Sequence, residues 1–497
     1  MWRHSIESDS TTHNSVRRRT PSLQPAAACR RGVRTAGTAR ASYSLTIRAR
    51  CAALAALLCA GCVPLVQGPP RQEAPIVVAG ASGVLSSSQS EATVERAVAA
   101  APDPDAMRSL VAMMESLSDD PLYKDNDVGL LVDGPATYTA MLEAVHRAEH
   151  EIDVEMYIIG DDRIGELFRD ALIQKAEAGV AVHLLYDSVG SWGVSSDFFD
   201  AMRSAGVEVI EFNPASPLHG GNPLKLNNRD HRKLLIVDDG VAFTGGMNIN
   251  RKYSHASASG SGSKHTLRKP GWRDTDIVVR GPAVAGFAQL FRDNWRRAGG
   301  TIADATGPPP SAAGHDLVRI LASVGGDGSV SSIREAYELA IDTAQARVWI
   351  TQPYFGPDPT LMDSLKNAVA RGVDVEIILP SRSDSAIVLA NSRYYYAQLL
   401  AAGVRVFEST DEMMHAKTAV IDGVWSTVGS SNLDYRSFLH NDEVNAVVIG
   451  AAFGAQMEQR FVLDRARSTQ ITPDAWRQRS VFSRAQEYLS HAFAYWL

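Results

Sequence analysis

HRKLLIVD at 231–238 and HAKTAVID at 415–422 decide the fold of this 497-residue chain, because they are two copies of one pattern, His-x-Lys-x-x-x-x-Asp. The first copy begins at His231 and the second at His415. Each copy is followed by a Gly/Ser-rich turn that ends in Asn, TGGMN at Asn248 and VGSSN at Asn432. Two copies in matching surroundings indicate an internal duplication rather than a chance match.

The duplication extends beyond the motifs into the surrounding elements. LFRDALIQKAEAGVAVHLLYD (167–187) and LMDSLKNAVARGVDVEIILP (361–380) both read as an amphipathic helix, a glycine and an apolar run of strand length. Strands that alternate with helices predict an α/β layer fold in each half. The first half has extra residues, NPASPLHGGNPLKLNN at 213–228, which we interpret as a substrate-shaping insertion.

The motif residues form a pair of anion sites. Side chains alternate on a strand, so His231 and Lys233 share a face, and His415 and Lys417 repeat this arrangement. An ammonium beside an imidazole suits a phosphate, and two such sites facing each other can cleave a phosphodiester, one His attacking phosphorus and the other protonating the leaving alcohol. The two lysines supply the charge that a divalent cation would give, so we expect no metal and no cofactor.

Asp238 and Asp422 complete the two motifs and are counted with the catalytic residues. Each lies seven residues after its histidine, so on an unbroken strand it points to the opposite face. We therefore expect both aspartates to stand at a strand end and to be at least partly structural.

Four further residues are predicted to complete the site. The amides of Asn248 and Asn432 are expected to bind the phosphate oxygens. Asp274 and Glu443 occupy matching positions when TDIVVRG (275–281) is aligned with VNAVVIG (444–450). We predict that each is an orienting carboxylate that runs alongside the histidine of its own half; surface acids at two strand starts are the alternative.

These residues resemble the phospholipase D superfamily, whose signature is a duplicated HKD motif. Within it, HRKLLIVDD, TGGMNI, GWRDTDIVVRGPAV and SSNLDYRSFLHNDEVN are most similar to bacterial cardiolipin synthases. The resemblance implies two tandem αβα-sandwich halves related by a pseudo-twofold axis, with one shared active site. It also implies a phosphohistidine intermediate, with His231 as nucleophile and His415 as general acid, although the residues alone do not break this symmetry.

The resemblance favours a phosphatidyltransferase that makes cardiolipin from two phosphatidylglycerol molecules. A phospholipase D-type hydrolase differs only in using water as the acceptor. A periplasmic nuclease is disfavoured by the formal net charge of −7, since nucleic-acid binding relies on a basic surface, and we expect no nucleic-acid partner. A non-catalytic binding protein is disfavoured because both motifs are complete.

The N-terminal region predicts export. CAALAALLCAGC at 51–62 follows two arginines and has the pattern of a secretory signal, too short to span a membrane. Its end resembles a bacterial lipoprotein cleavage site with Cys62 as the lipidated residue, although Cys59 stands where Leu is usual. Cys62 is also the last cysteine of the chain, which leaves no disulfide or thiolate metal site for the catalytic halves. We expect a lipid-anchored protein at the periplasmic face of a bacterial membrane.

Composition and the repeat divide the chain into six predicted segments: 1–62 leader and signal, 63–125 tether and short helix, 126–306 first half, 307–316 linker, 317–470 second half, and 471–497 amphipathic tail. Two stretches are candidates for membrane contact. The loop at 253–272 is either a lid over the first motif or a plain surface loop. The apolar stripe of the tail either lies in the membrane interface or, as we favour, docks on the second half.

Overall fold

The computed structural model describes residues 76–101, 103–115, 120–214, 227–254, 271–304 and 310–497. The predicted signal segment with Cys62, most of the insertion at 213–228 and most of the candidate lid at 253–272 lie outside the described residues. No helix in the described ranges has both the length and the apolar composition needed to cross a bilayer.

The helices and strands follow in chain order. The N-terminal segment contains β1 (Val78–Gly80), β2 (Gly83–Val84), α1 (Ser87–Ala100) and α2 (Pro104–Glu115). The first half contains β3 (Leu122–Val132), α3 (Asp133–Arg147), β4 (Glu151–Met156), α4 (Arg163–Glu177), β5 (Ala181–Asp187), α5 (Ser196–Ser204), β6 (Glu208–Phe212), β7 (Arg229–Asp230), β8 (Lys233–Val237), β9 (Val241–Gly245), a 3-10 helix (Arg251–Tyr253), β10 (Trp272–Arg273), β11 (Thr275–Arg280) and α6 (Ala283–Arg297).

The second half contains β12 (Asp316–Ser323), α7 (Ser332–Thr343), β13 (Arg347–Thr351), β14 (Phe355–Gly356), α8 (Pro359–Ala370), β15 (Asp374–Pro380), α9 (Ala386–Tyr394), α10 (Tyr396–Ala402), β16 (Arg405–Ser409), β17 (Met413–Met414), β18 (Thr418–Ile421), β19 (Trp425–Gly429), β20 (Leu433–Asp434), α11 (Tyr435–Leu439), β21 (Asn441–Ile449), α12 (Ala451–Arg465) and β22 (Ser468–Ile471). The C-terminal segment contains α13 (Pro473–Arg477), α14 (Val481–His491) and a 3-10 helix (Ala494–Trp496).

The two halves have the same sheet. Neighbouring strands in the first half run β6–β5–β4–β8–β9–β11–β3, with β4, β5 and β6 parallel. The second half runs β16–β15–β13–β18–β19–β21–β12, with the matching parallel trio. The sheets join where β3 pairs with β12. The α/β class and the two halves predicted from the repeat are confirmed.

Local sequence explains the repeated helix–strand units. The two glycines matched in the repeat, Gly179 and Gly372, follow α4 and α8 with φ of +92° and +94°. This left-handed backbone is accessible to glycine at little cost and ends the helix so that the chain can turn into a strand. At the other end, Asp162 and Asp358 cap the two helices by accepting hydrogen bonds from their first-turn amides.

The apolar side chains of the described residues form three main clusters. One lies inside the first half and another inside the second. A third joins the halves and includes Leu234 and Ile236 of the first motif together with Val420 of the second. Both faces of the motif strands are therefore buried, which fixes the two motifs relative to each other.

Of the tether and short helix predicted over 63–125, the short helix is present as α2, whereas the prediction of a tether is wrong for its described part. Val78, Val98 and Leu110 are buried in the core of the second half, and β1 pairs in parallel with β3. Helices α1 and α2 contain many alanines, some of them exposed, so their composition resembles that of a linker although their periodicity suits packed helices.

Candidate active site

Two short strand pairings bring the motifs into contact across the halves. Strands β7 and β21 run in parallel, as do β10 and β17. In consequence the backbone N–H of His231 donates to the carbonyl of Asp442 at 2.9 Å, and that of His415 donates to the carbonyl of Arg273 at 2.7 Å. The next residue along each partner strand is a carboxylate, Glu443 in one case and Asp274 in the other.

His231 is held by a buried carboxylate of the second half. Its Nδ1 lies 3.0 Å from both Glu443 oxygens, which leaves Nε2 for the substrate. Glu443 also accepts from Ser430 Oγ at 2.5 Å and from Asn441 Nδ2 at 3.2 Å. The Tyr157 ring packs edge-on against the imidazole, with 4.8 Å between ring centroids.

His415 has the mirrored environment from the first half. Its Nδ1 lies 2.7 Å from Asp274 Oδ2 and 3.3 Å from the Tyr253 hydroxyl. Trp272 and Tyr354 flank the ring at centroid distances of 4.9 and 6.1 Å. Each histidine therefore has one carboxylate and at least one aromatic neighbour.

The predicted pairing of carboxylates and histidines within one half is wrong. Asp274 lies on His415 and Glu443 lies on His231, so each carboxylate contacts the histidine of the other half. The physical reason is the two-residue pairing of β7 with β21 and of β10 with β17, which places the residue after each pair side by side. Neither motif histidine has its carboxylate in its own half.

Burial holds both imidazoles neutral. It lowers the pKa of His231 to about 4, although Glu443 acts to raise it. Burial and then Lys417 lower the pKa of His415 to about 4, against Asp274. Burial acts to raise the pKa of Glu443, but the His231 contact and Lys233 lower it to about 2. An ionised Glu443 accepts from Nδ1–H and leaves a lone pair on Nε2 of His231.

The two motif lysines are buried beside the imidazoles. Lys233 donates to the backbone carbonyl of His231, and Lys417 Nζ lies 2.8 Å from the His415 carbonyl and 3.1 Å from its Nδ1. Burial lowers the pKa of Lys233 to about 7 and that of Lys417 to about 8. A phosphate between the histidines would favour the charged form of both lysines.

Asp238 and Asp422 belong to the scaffold, and their place among the catalytic residues is corrected. Asp238 accepts from the backbone amides of residues 149–151 at 2.7–2.8 Å, in the turn before β4. Asp422 accepts from those of residues 345–347 at 2.8 Å, in the turn before β13. Both have positive φ, 52° and 51°. Three charge-assisted hydrogen bonds each explain why a motif would retain an aspartate that does not face substrate.

The two histidines open into one cavity of about 300 Å³. Its wall is formed by Tyr157, Ile158, His231, Asn248, Asn250, Lys252, Tyr253, Trp272, Tyr354, Asp384, Ser385, Val388, His415, Asn432, Asp434, Arg436, Asn441 and Leu497. Asn248 and Asn432 thus lie where predicted, but Asn248 already accepts from Ile158 N and donates to the Tyr253 hydroxyl. Phosphate binding by their amides stays a prediction.

Sequence reasoning missed the cations that line this cavity. Lys252 and Arg436 have the same spacing in the chain as the two motif histidines. A comparison of the two repeats that continued four residues beyond Asn248 and Asn432 would have identified both cations. The tyrosines beside the histidines could not be found in this way, because they do not occupy equivalent positions in the two repeats.

Another cluster among the described residues has ligands suited to a cation. Glu151, Asp153 and His183, on β4 and β5, place one ligand atom each within 4.8 Å of one another. Arg292 donates to Glu151 at 2.8 Å, and His183 Nδ1 lies 2.7 Å from Asp153. Because Arg292 already pairs with this cluster, and because none of its three residues lines the cavity, we assign the cluster no part in the site.

Comparison with known proteins agrees with this geometry. The family model described as "Cardiolipin synthase, PLD-like domain" matches residues 141–257 and 338–465. A cardiolipin synthase of Alkalihalophilus pseudofirmus is 35% identical over 77% of this chain and 74% of its own length. Cardiolipin synthase A of Pseudomonas aeruginosa is 35% identical over 74% of this chain and 72% of its own length.

A solved structure shares the fold. The phosphatidylserine synthase of Haemophilus influenzae superposes with a TM-score of 0.59, covering 78% of this chain and all of that one. The sequence identity is 14%, so this similarity concerns the arrangement of the two halves alone.

Proposed function

The chain belongs to the cardiolipin synthase family of the phospholipase D superfamily, and on this premise we propose that it transfers a phosphatidyl group from one phosphatidylglycerol to a hydroxyl of a second, forming cardiolipin and glycerol. The observation that carries this proposal is the pair of imidazoles in one cavity, each held by a carboxylate of the opposite half. In such a pair, one imidazole can attack phosphorus while the other protonates the leaving group.

In the first step, the neutral Nε2 of His231 attacks the phosphorus of the donor lipid. The P–O bond to the headgroup glycerol breaks, and His415 delivers the proton that the departing oxygen needs. A phosphodiester anion beside His415 raises the pKa of that imidazole, which offsets the lowering by burial. Asp274 supports the same charge from 2.7 Å.

In the second step, His415 removes the proton of the acceptor hydroxyl. The acceptor oxygen attacks phosphorus, the P–N bond to His231 breaks and the electron pair returns to the imidazole. Lys233 and Lys417 lie close enough to the histidines to balance the negative charge on the phosphoryl oxygens. Atoms and charge balance without a further reactant.

Contact with a bilayer is part of the proposal, and the C-terminal segment supports it. Helix α14 docks on α9, where the Tyr394 and His491 rings stack at 3.7 Å, but Val481 and Phe482 remain 80% and 79% exposed. Docking therefore leaves an apolar surface exposed. Helix α9 connects that surface with the site, since its Val388 lines the catalytic cavity and its neighbour Ile387 lines an apolar groove with Phe482.

Export and anchoring through a lipid on Cys62 complete the proposal. They rest on the arginines before 51–62, its apolar run and the small residues that precede Cys62. Replacing Cys62→Ser should move the protein from the membrane fraction toward the soluble fraction of cells that express it. An unchanged distribution of the variant would contradict the anchor.

The decisive experiment incubates the purified protein with phosphatidylglycerol vesicles and identifies products by mass spectrometry. Cardiolipin plus glycerol is the expected result. Phosphatidic acid plus glycerol would make the protein a hydrolase of the phospholipase D type. A His231→Ala variant is the control, because it removes the proposed nucleophile and should form neither product.

A further inference from the structure

Two cations stand at pseudo-equivalent positions on opposite sides of the cavity. Lys252 comes from the first half but lies on the His415 side, since its Nζ is 4.6 Å from the Trp272 ring centroid and that ring is 4.9 Å from His415. Arg436 comes from the second half, and its guanidinium donates to Asn227 Oδ1 at 3.1 Å, four residues before His231. Each half thus contributes a cation to the side of the other half's histidine.

The two cations differ in the partners they already have. Arg436 also donates to the backbone carbonyl of Trp496 at 3.5 Å, so its guanidinium is tied to neutral acceptors. Lys252 is exposed, and across the described ranges its ammonium contacts the Trp272 ring but has no carboxylate within 4.0 Å. An exposed ammonium on a cavity wall is free to bind an anion.

The His415 side also has a carboxylate that has no cation within 4.0 Å in the described part of the chain. Asp384 lines the cavity, is exposed and accepts from the Tyr354 hydroxyl at 2.6 Å. A carboxylate accepts hydrogen bonds from alcohol groups, whereas it repels a phosphate. The His415 side of the cavity therefore has both a cation that can bind phosphate and a carboxylate that can bind a hydroxyl. This is also the side on which His415 exchanges protons with the substrate.

We propose that the His415 side of the cavity is a subsite for the acceptor lipid, in which Lys252 binds the acceptor's own phosphate and Asp384, positioned by Tyr354, binds a free hydroxyl of its glycerol headgroup. The inference rests on the proposed function and explains how that reaction selects a lipid alcohol over water. The attacking hydroxyl and the acceptor phosphate lie at opposite ends of one glycerol, so the phosphate needs a cation away from the reacting phosphorus. Holding both ends raises the effective concentration of the alcohol at the phosphohistidine.

The test measures how the intermediate partitions between alcohol and water. The full chain and its Lys252→Gln and Asp384→Asn variants are incubated with phosphatidylglycerol vesicles, and cardiolipin and phosphatidic acid are quantified from the same sample. Lys252→Gln should lower the ratio of cardiolipin to phosphatidic acid at least tenfold, because a charge-assisted contact to the acceptor alone is lost. Lys252→Arg should restore most of the ratio, since a cation is retained.

Arg251→Gln is the matched control, because Arg251 is the exposed neighbour of Lys252 on the same 3-10 helix and does not line the cavity. Its product ratio should equal that of the wild type. A wild-type ratio in Lys252→Gln, with cardiolipin still formed, would overturn the subsite and leave the proposed function standing. If the unmodified protein forms only phosphatidic acid, the proposed function itself fails and the subsite falls with it.

Discussion

The crossed pairing of carboxylates and histidines predicts that Asp274→Asn and Glu443→Gln damage different steps. Asp274 lies in the first half but contacts His415, so its loss should impair proton delivery to the leaving group. Glu443 lies in the second half but contacts His231, so its loss should impair the attack on phosphorus. Pairing within each half would assign the two defects the other way round.

The magnitude follows from the contacts. The bond between His415 Nδ1 and Asp274 Oδ2 is 2.7 Å long, buried and charge-assisted. Such a bond contributes about 1.5–3 kcal/mol, and at about 1.4 kcal/mol per decade the loss of the charge should lower kcat about ten- to hundred-fold. The two 3.0 Å contacts of Glu443 to His231 Nδ1 predict a defect of similar size for Glu443→Gln.

Two donor lipids with different leaving groups separate the steps. Phosphatidylglycerol loses an alkoxide, which needs a proton, whereas a nitrophenyl ester of phosphatidic acid loses a stable phenolate, which does not. With the nitrophenyl ester, the rate at which Asp274→Asn forms the phosphohistidine should return to within a few-fold of the wild-type rate. The rate for Glu443→Gln should stay low. Thermal melting of both variants checks that the fold is retained. The reverse pattern, rescue of Glu443→Gln but not of Asp274→Asn, would refute the crossed assignment.

Three further predictions use other features of the structure. The value of kcat/KM should fall as pH rises above about 7 and 8, where Lys233 and Lys417 lose their protons; a profile that is flat from pH 6 to 9 would contradict these pKa values. Burial raises the pKa of Asp276 from 3.8 to about 8, so its proton is bound more tightly in the folded protein and its contribution to stability declines as pH rises above 3.8. Asp276→Asn should therefore increase the free energy of unfolding at pH 8 by an amount on the order of a few kcal/mol, which would be seen as a higher melting temperature. The difference between variant and wild type should vanish near pH 4. Phe482→Asp should weaken binding to phosphatidylglycerol vesicles in a flotation assay without changing the melting temperature, because this side chain is 79% exposed; equal flotation of variant and wild type would count against the exposed apolar surface as the site of contact.

Much of the fold was predictable because its signals are local. The helix–glycine–strand units follow from apolar periodicity and from the positive φ that Gly179 and Gly372 accommodate. The structural role of Asp238 also followed from local geometry, since strand parity turned it away from the histidine. Strand parity does not explain why an aspartate occupies this position, but its hydrogen bonds to the turn before β4 do.

Other features depend on contacts between segments that are distant in the chain. The segment before the first half looks like a linker because it is rich in alanine, and its core position appears only when Val98 and Leu110 meet the second half. The exposure of the apolar residues on α14 likewise depends on which face of that helix meets α9.

By itself, the sequence determined that this protein has two α/β halves and two His–Lys sites, because a motif repeated in matching surroundings specifies matching local structure. Tertiary structure alone decided which carboxylate serves which histidine. That choice depends on two pairs of strands, β7 with β21 and β10 with β17, which are too short to leave a periodic signal. It also decided that Lys252 and Asp384, which come from different halves of the chain, line one side of one cavity.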